Sequence, residues 1–179
     1  MTVREPRSER NLDGYDAPPI AWARVRERLD QGVTQPPGTG GPGRHTYWLA
    51  TTNPDGSPHV MPLGVFWVDG GFFFNAGPGT RKAKNLAANP RCVISVATDQ
   101  FDLVVEGEAV KVTDDAELRR IADVFAAGGW EPTVRDGALY AEFSAPSAGP
   151  PPWHVYEVTP KTVYALGTAD PYGATRFRF

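Results

Sequence analysis

Cysteine occurs once and histidine three times in this 179-residue chain, which excludes an internal disulfide framework and leaves no Cys–His cluster at metal-ligand spacing. No metal site is expected. Charge of neither sign dominates, with 18 Lys plus Arg against 21 Asp plus Glu and a net charge of -3, so a surface built to wrap nucleic acid is disfavoured. Long hydrophobic runs are missing too: the apolar stretches are strand-sized, and the opening MTVREPRSERNLDGYDAPP has no segment resembling a signal peptide. The expectation is a soluble cytoplasmic protein without a membrane partner. No Gly-x-Ser-x-Gly elbow is present, and no Ser-His-Asp or Cys-His arrangement can be argued from spacing. Cys92, beside Val93 and Ile94, reads as a buried inert thiol, and His45 and His154 read as structural.

Glycine and proline, by contrast, are plentiful at 19 and 18, and they concentrate at 35–43 and 144–152, which read as long loops with no chemical signature of their own. The length suits one domain over 18–179, preceded by a flexible or draped polar arm at 1–17. Trp22, Val25 and Leu29 lie at helical spacing after a Pro-Pro start. The region 46–75 then reads as a meander: a strand at 46–52, an Asn-Pro-Asp-Gly turn at 53–56, a strand at 59–68, and a third entering Phe72-Phe73-Phe74-Asn75. Thr80 is placed to cap a short helix that stops at Asn89-Pro90, with Ala83, Leu86 and Ala87 inward. Strands at 92–97 and 103–112 precede a helix capped by Thr113-Asp114-Asp115, with Leu118, Ile121, Ala122 and Phe125 on one face. Two last strands, 153–158 and 162–166, are joined at Thr159-Pro160-Lys161. Sequential strands with few short helices imply a mainly β (α+β) antiparallel barrel rather than a parallel doubly wound sheet.

The chemistry concentrates between Phe72 and Arg91. A strand there delivers the chain through Ala76-Gly77-Pro78-Gly79 to a helix N-terminus, where free N–H groups and the dipole favour an anion. Thr80 adds a hydroxyl, and Arg81 and Lys82 add charge, so the arrangement suits a phosphate. The alternative is an N-cap with a solvated basic helix face. The aromatic set Tyr47, Trp48, Phe66, Trp67, Phe72 and Phe73 alternates along strands, so it serves the core on one side and can line a planar-ligand pocket on the other. Trp130 and Trp153 flank the loop-rich region, where they either close a substrate pocket or anchor loops.

Three patterns in order carry a resemblance: Asn53-Pro-Asp-Gly-Ser-Pro-His-Val-Met-Pro-Leu; Phe73-Phe74-Asn75 followed by Thr80-Arg81-Lys82, Asn85-Leu86 and Asn89-Pro90-Arg91; and Val104-Val105-Glu106-Gly107-Glu108-Ala109. Together they resemble the pyridoxamine-phosphate-oxidase-like superfamily of flavin- and deazaflavin-dependent oxidoreductases, from about Tyr47 to Val112. The resemblance implies an FMN-binding-like split β-barrel in which Thr80, Arg81 and Lys82 contact a cofactor phosphate, with Asn85 as a helper. It puts the strand 59–64 beneath the cofactor ring, where Met61, Leu63 or Gly64 would donate N–H groups and Pro62 cannot. It sets Phe73, Phe74 and Asn75 beside the phosphate-bearing tail. It further implies a homodimer with the site between subunits and Asp102 reaching across. His59 reads either as a ring-side contact or proton donor or as a partly exposed polar residue at the barrel mouth.

Departures narrow the activity. True pyridoxamine-phosphate oxidases carry Arg and Lys on the ring-binding strand where this chain has His59 and Gly64, and their C-terminal Arg, His and Asp signature is not reproduced by Ala174-Thr-Arg-Phe-Arg-Phe179. Vitamin B6 oxidation is therefore not expected. Ser-Pro-His-Val with Lys82 and Asn85 leans toward the branch that uses coenzyme F420, while Arg81 leaves FMN open. The expected reaction is hydride transfer between F420 or FMN and a conjugated small molecule. Its rivals are a non-catalytic flavin- or haem-binding protein and a dimeric barrel without cofactor.

Overall fold

The computed structural model describes residues 4–33, 46–145 and 147–179. The loop expected at 35–43 and His45 lie outside the described residues. In chain order the elements are β1 (Ser8–Asn11), α1 (Trp22–Asp30), β2 (Thr46–Thr52), β3 (Pro58–Gly64), β4 (Phe66–Val68), β5 (Gly71–Ala76), α2 (Arg81–Ala88), β6 (Arg91–Ala97) and β7 (Phe101–Lys111). They are followed by α3 (Asp115–Ala127), β8 (Thr133–Arg135), β9 (Ala138–Tyr140), β10 (His154–Gly167) and β11 (Ala174–Arg178).

All named strand pairs are antiparallel, and the sheet follows the order β1-β11-β10-β7-β6-β2-β3, with β5 pairing both β10 and β4. The sequence suggests one strand over 59–68. The chain instead breaks at Val65: β3 pairs β2, with Thr46 opposite Gly64, and β4 pairs β5, with Phe66 opposite Phe73. This bend carries the hydrogen-bonded path from β2 through β3–β4 to β5, β10, β7, β6 and back to β2, the closure of a split barrel. Pro62 fits in β3 because that strand pairs on one side only.

Three further expectations are corrected. The strands foreseen at 153–158 and 162–166 are one 14-residue strand, β10, whose register against β7 shifts between Pro160 and Thr162. A bulge at Lys161, just after the proline, keeps the strand going where a break was expected. Residues 8–11 of the expected flexible arm form β1, which pairs β11 from Ser8–Arg178 to Asn11–Thr175. Its four side chains are all exposed, so backbone pairing alone holds it and no apolar pattern announces it. Ala87 is exposed on α2, whose buried face comprises Lys82, Ala83, Asn85 and Leu86.

Two apolar cores result. The larger fills the barrel with residues such as Leu49, Phe72, Phe74, Ile94, Leu103, Val163 and Phe177, and α1 adds Trp22, Val25 and Leu29. The smaller lies between β5, β10 and α3 and holds Phe73, Leu118, Ile121, Ala122, Phe125, Leu139, Trp153 and Val155. Strand alternation assigns β5 to both: Phe72, Phe74 and Ala76 face the barrel interior, whereas Phe73 and Asn75 face the α3 side. Asp114 caps α3 by accepting from the Glu117 N–H at 2.8 Å, as the acidic Thr-Asp-Asp start anticipates. Among the described residues no helix is long and apolar enough to cross a membrane.

Candidate functional site

The end of β3, the end of β5 and the first turn of α2 meet beside the C-terminal end of α3 and residues 143–145 and 147–148. Between them lies a cavity of about 370 Å³ lined by Pro62, Leu63, Gly64, Phe66, Asn75, Ala76, Lys82, Phe125, Gly128, Trp130, Phe143, Ser144, Ala145, Ser147 and Ala148. Five of the expected cofactor-binding residues thus come together: Pro62, Leu63, Gly64, Asn75 and Lys82. Asn75 arrives because it shares the Phe73 side of β5 and lies just past the α3 core.

Lys82 is the one charged residue in the lining, and it is only 9% exposed. Its ammonium forms no hydrogen bond or ion pair among the described residues. Burial pushes its pKa below the ordinary lysine value. A buried cation without a counter-ion is costly, and an anionic ligand in the cavity would remove that cost. Gly64 borders open space, since a Cβ built on it would meet nothing within 4 Å, so a flat group can approach the backbone there. The residues therefore fit a ligand with an anionic end and a planar body.

The other expected site residues are placed differently. The Thr80 hydroxyl donates to the Gly77 carbonyl at 2.8 Å and accepts from the Ala83 N–H at 3.4 Å, so its work is to close the turn and cap α2. Arg81 is exposed at the helix start. Asn85 is 1% exposed, donates to Thr51 Oγ1 at 3.1 Å and to Asn53 Oδ1 at 3.0 Å, and so ties α2 to the β2–β3 hairpin. Phe73 and Phe74 are in the two cores, with Phe74 stacked on Tyr156 at 5.3 Å. His59 and Met61 sit on β3 outside the cavity lining, opposite Thr51 and Leu49. Asp102 is exposed on β7 between Ala97 and Leu166. Cys92 is buried, and burial pushes its thiol up to about 12, the inert state expected of it.

The opposite wall is aromatic, and of its residues only Phe125 and Phe143 were not expected near a pocket. Phe66 packs on Phe125 at 5.1 Å, Phe125 on Trp130 at 5.8 Å, and Trp130 on Trp153 at 5.7 Å, edge to face. Trp130 was foreseen as a pocket residue or a loop anchor, and it does both. Phe125 looked like helix core, and Phe143 stands in a loop without periodicity. Gly77 lets the wall close, because a Cβ there would collide with the Ala148 carbonyl.

A split β-barrel of the FMN-binding type, with one cavity at the strand-to-helix turn, defines the class of protein. Residues 42–167 match the family model described as pyridoxamine 5'-phosphate oxidase, and the chain belongs to that family. Solved structures of similar fold include a NimC/NimA family protein from Clostridium acetobutylicum (TM-score 0.58, 17% identity, covering 86% of this chain and 90% of that one). A pyridoxamine 5'-phosphate oxidase-related, FMN binding protein from Nostoc punctiforme has TM-score 0.50, 18% identity, and coverage of 72% and 78%. An FAD-binding protein from Mesorhizobium loti has TM-score 0.51, 19% identity, and coverage of 96% and 99%. No curated protein matches the chain.

Proposed function

We propose that this chain is a flavin- or deazaflavin-dependent oxidoreductase that holds F420 or FMN in the cavity and serves hydride transfer to or from a conjugated small molecule. The observation that carries this reading is Lys82, a buried cation without an anionic partner among the described residues, on the wall of a cavity that is otherwise mostly apolar. The cofactor, when bound, supplies the hydride chemistry. The chain's own residues bind, orient and exclude water. Lys82 meets the phosphate, Asn75 offers an amide beside it, and Leu63 and Gly64 offer backbone to the ring. Phe66, Phe125, Trp130 and Phe143 keep water from the ring and give planar faces to a conjugated substrate. Vitamin B6 oxidation stays outside the proposal, because β3 has His59 and Gly64 where that activity places Arg and Lys.

We place the site in a homodimer. The outward face of β3, β2, β6, β7 and β10 presents Val60 (51% exposed), Trp48 (43%) and Leu166 (41%), with Val93, Val104 and Tyr164 half-buried among them. Pro62 belongs both to this face, opposite Trp48, and to the cavity wall, so a second copy seated here would border the site. Asp102 lies on the same face, which is the support for its reaching across.

Titrating purified chain with F420 and with FMN, followed by fluorescence and absorbance, tests the reading. One of them is expected to bind, and Lys82→Met to weaken it by at least about tenfold, or 1.4 kcal/mol. Binding of neither would remove the proposal, and a bound cofactor that no acceptor turns over would favour a storage or sensing role.

A further inference from the structure

Strands β1 and β11 lie outside the span that matches the family, 42–167, and form a two-stranded ribbon on the edge of the barrel through β10. Phe177 is fully buried, so its neighbours Arg176 and Arg178 face outward. Arg10 stands directly opposite Arg176, and Ser8 opposite Arg178, which puts three guanidinium groups on one face of the ribbon. Like charges directly opposite across strands are destabilising.

Among the described residues nothing offsets them. Arg4, Arg26, Arg28, Arg119 and Arg120 each meet a carboxylate. Arg10, Arg176 and Arg178 form no side-chain hydrogen bond or ion pair among the described residues. The Nε of Arg176 is moreover buried without a partner, an unsatisfied donor next to Tyr164. Glu9 pairs Phe177 in the register and so belongs to the other face. No residue of the ribbon lines the cavity that holds Lys82. The cross-strand row that joins them around the barrel wall runs Pro62, Trp48, Ser95, Val104, Tyr164, Arg176, five strand spacings or roughly 24 Å measured along the sheet.

We infer that the β1–β11 ribbon is a second anion site, in which Arg10 and Arg176, with Arg178 beside them, take a phosphate group of a small-molecule ligand. Guanidinium forks match phosphate oxygens two at a time, and one such group neutralises the opposed pair. The inference is independent of which cofactor the cavity holds.

Calorimetric titration of the full chain with inorganic pyrophosphate at low ionic strength tests it, using wild type, Arg10→Gln/Arg176→Gln and Lys82→Met. Binding is expected to fall at least about tenfold in the double variant and to persist in Lys82→Met. Thermal unfolding without ligand is the control: removing opposed charges is expected to leave the Tm unchanged or raised, whereas a structural role would lower it. Pyrophosphate binding that only Lys82→Met removes would overturn the proposal, as would no binding at all. Sedimentation of the same proteins covers the remaining case. Weaker self-association of the double variant, in a wild type that binds no pyrophosphate, would overturn it and assign these arginines to contact between two copies.

Discussion

The indole N–H of Trp130 donates a 2.7 Å hydrogen bond to the carbonyl of Phe143, tying the end of α3 to the segment that walls the cavity. Trp130→Phe keeps an aromatic ring against Phe125 and Trp153 but removes this tie together with part of the indole's packing surface. The expected cost is at least about 1 kcal/mol, the net worth of an ordinary hydrogen bond, read by urea unfolding. Cofactor affinity is expected to fall with it, because Phe143 then has no fixed position on the wall. Unchanged affinity would show that the cofactor does not use this side of the cavity.

Gly128 sets the distance between α3 and Phe66. Its φ of -81° is one that any residue adopts, so alanine brings no backbone strain there. A Cβ would nevertheless lie 2.6 Å from Phe66 Cζ and 2.8 Å from Cε1, forcing the ring to move within the wall. Gly128→Ala is expected to cost roughly 1–3 kcal/mol as an overpacking change and to alter cofactor affinity. Urea unfolding and titration measure the two effects on one preparation.

Asn85 separates structural from binding roles. Its amide holds Thr51 and Asn53, and its own Oδ1 is buried without a partner. Asn85→Ala strips two polar groups of their donor and is expected to destabilise the chain by about 1–3 kcal/mol. If this residue is only a strut, cofactor affinity at a temperature where both proteins are folded stays within about twofold, well under the 1.4 kcal/mol of a tenfold change. A larger loss would restore it as a direct contact.

What was legible in the sequence was local. Leu118, Ile121, Ala122 and Phe125 announce α3 by their spacing, and Thr80 announces its cap, because both follow from repeats within a turn or two. Pairing between distant segments was not legible. Ser8–Asn11 becomes a strand only because β11 offers it an edge, and its polar side chains follow no alternation. Pro160 read as a break because a bulge within a long strand has no signal of its own. Within the site, Lys82 and Thr80-Arg81 were found together as charge. Only packing separates them, turning Lys82 into the cavity and leaving Arg81 in solvent, since 100° per residue places successive side chains on different faces. Of the aromatic wall, Phe66 and Trp130 stood out in the sequence, whereas Phe125 and Phe143 stayed hidden because Phe125 shares the periodicity of ordinary helix core and Phe143 has no periodicity.

Lys82 gives the most discriminating pH experiment. Burial lowers its pKa from 10.5 in the folded chain, so the folded chain releases this proton at a lower pH than the unfolded chain does. Between the lowered value and 10.5 the unfolded state binds more protons, and stability from this group rises with pH across that window. Below it the folded chain bears the full cost of the buried charge. Lys82→Met removes that cost, so the ligand-free variant is expected to unfold at a higher temperature than wild type at neutral pH, and the difference to shrink as pH climbs through the window. Affinity for the phosphorylated cofactor moves the other way: in wild type it is expected to fall as Lys82 loses its proton, and in Lys82→Met to be weaker and flat over the same range. Thermal unfolding and cofactor titration from about pH 6 to about pH 10 read both trends. A methionine variant that is less stable and binds cofactor as tightly as wild type would return Lys82 to a purely structural role.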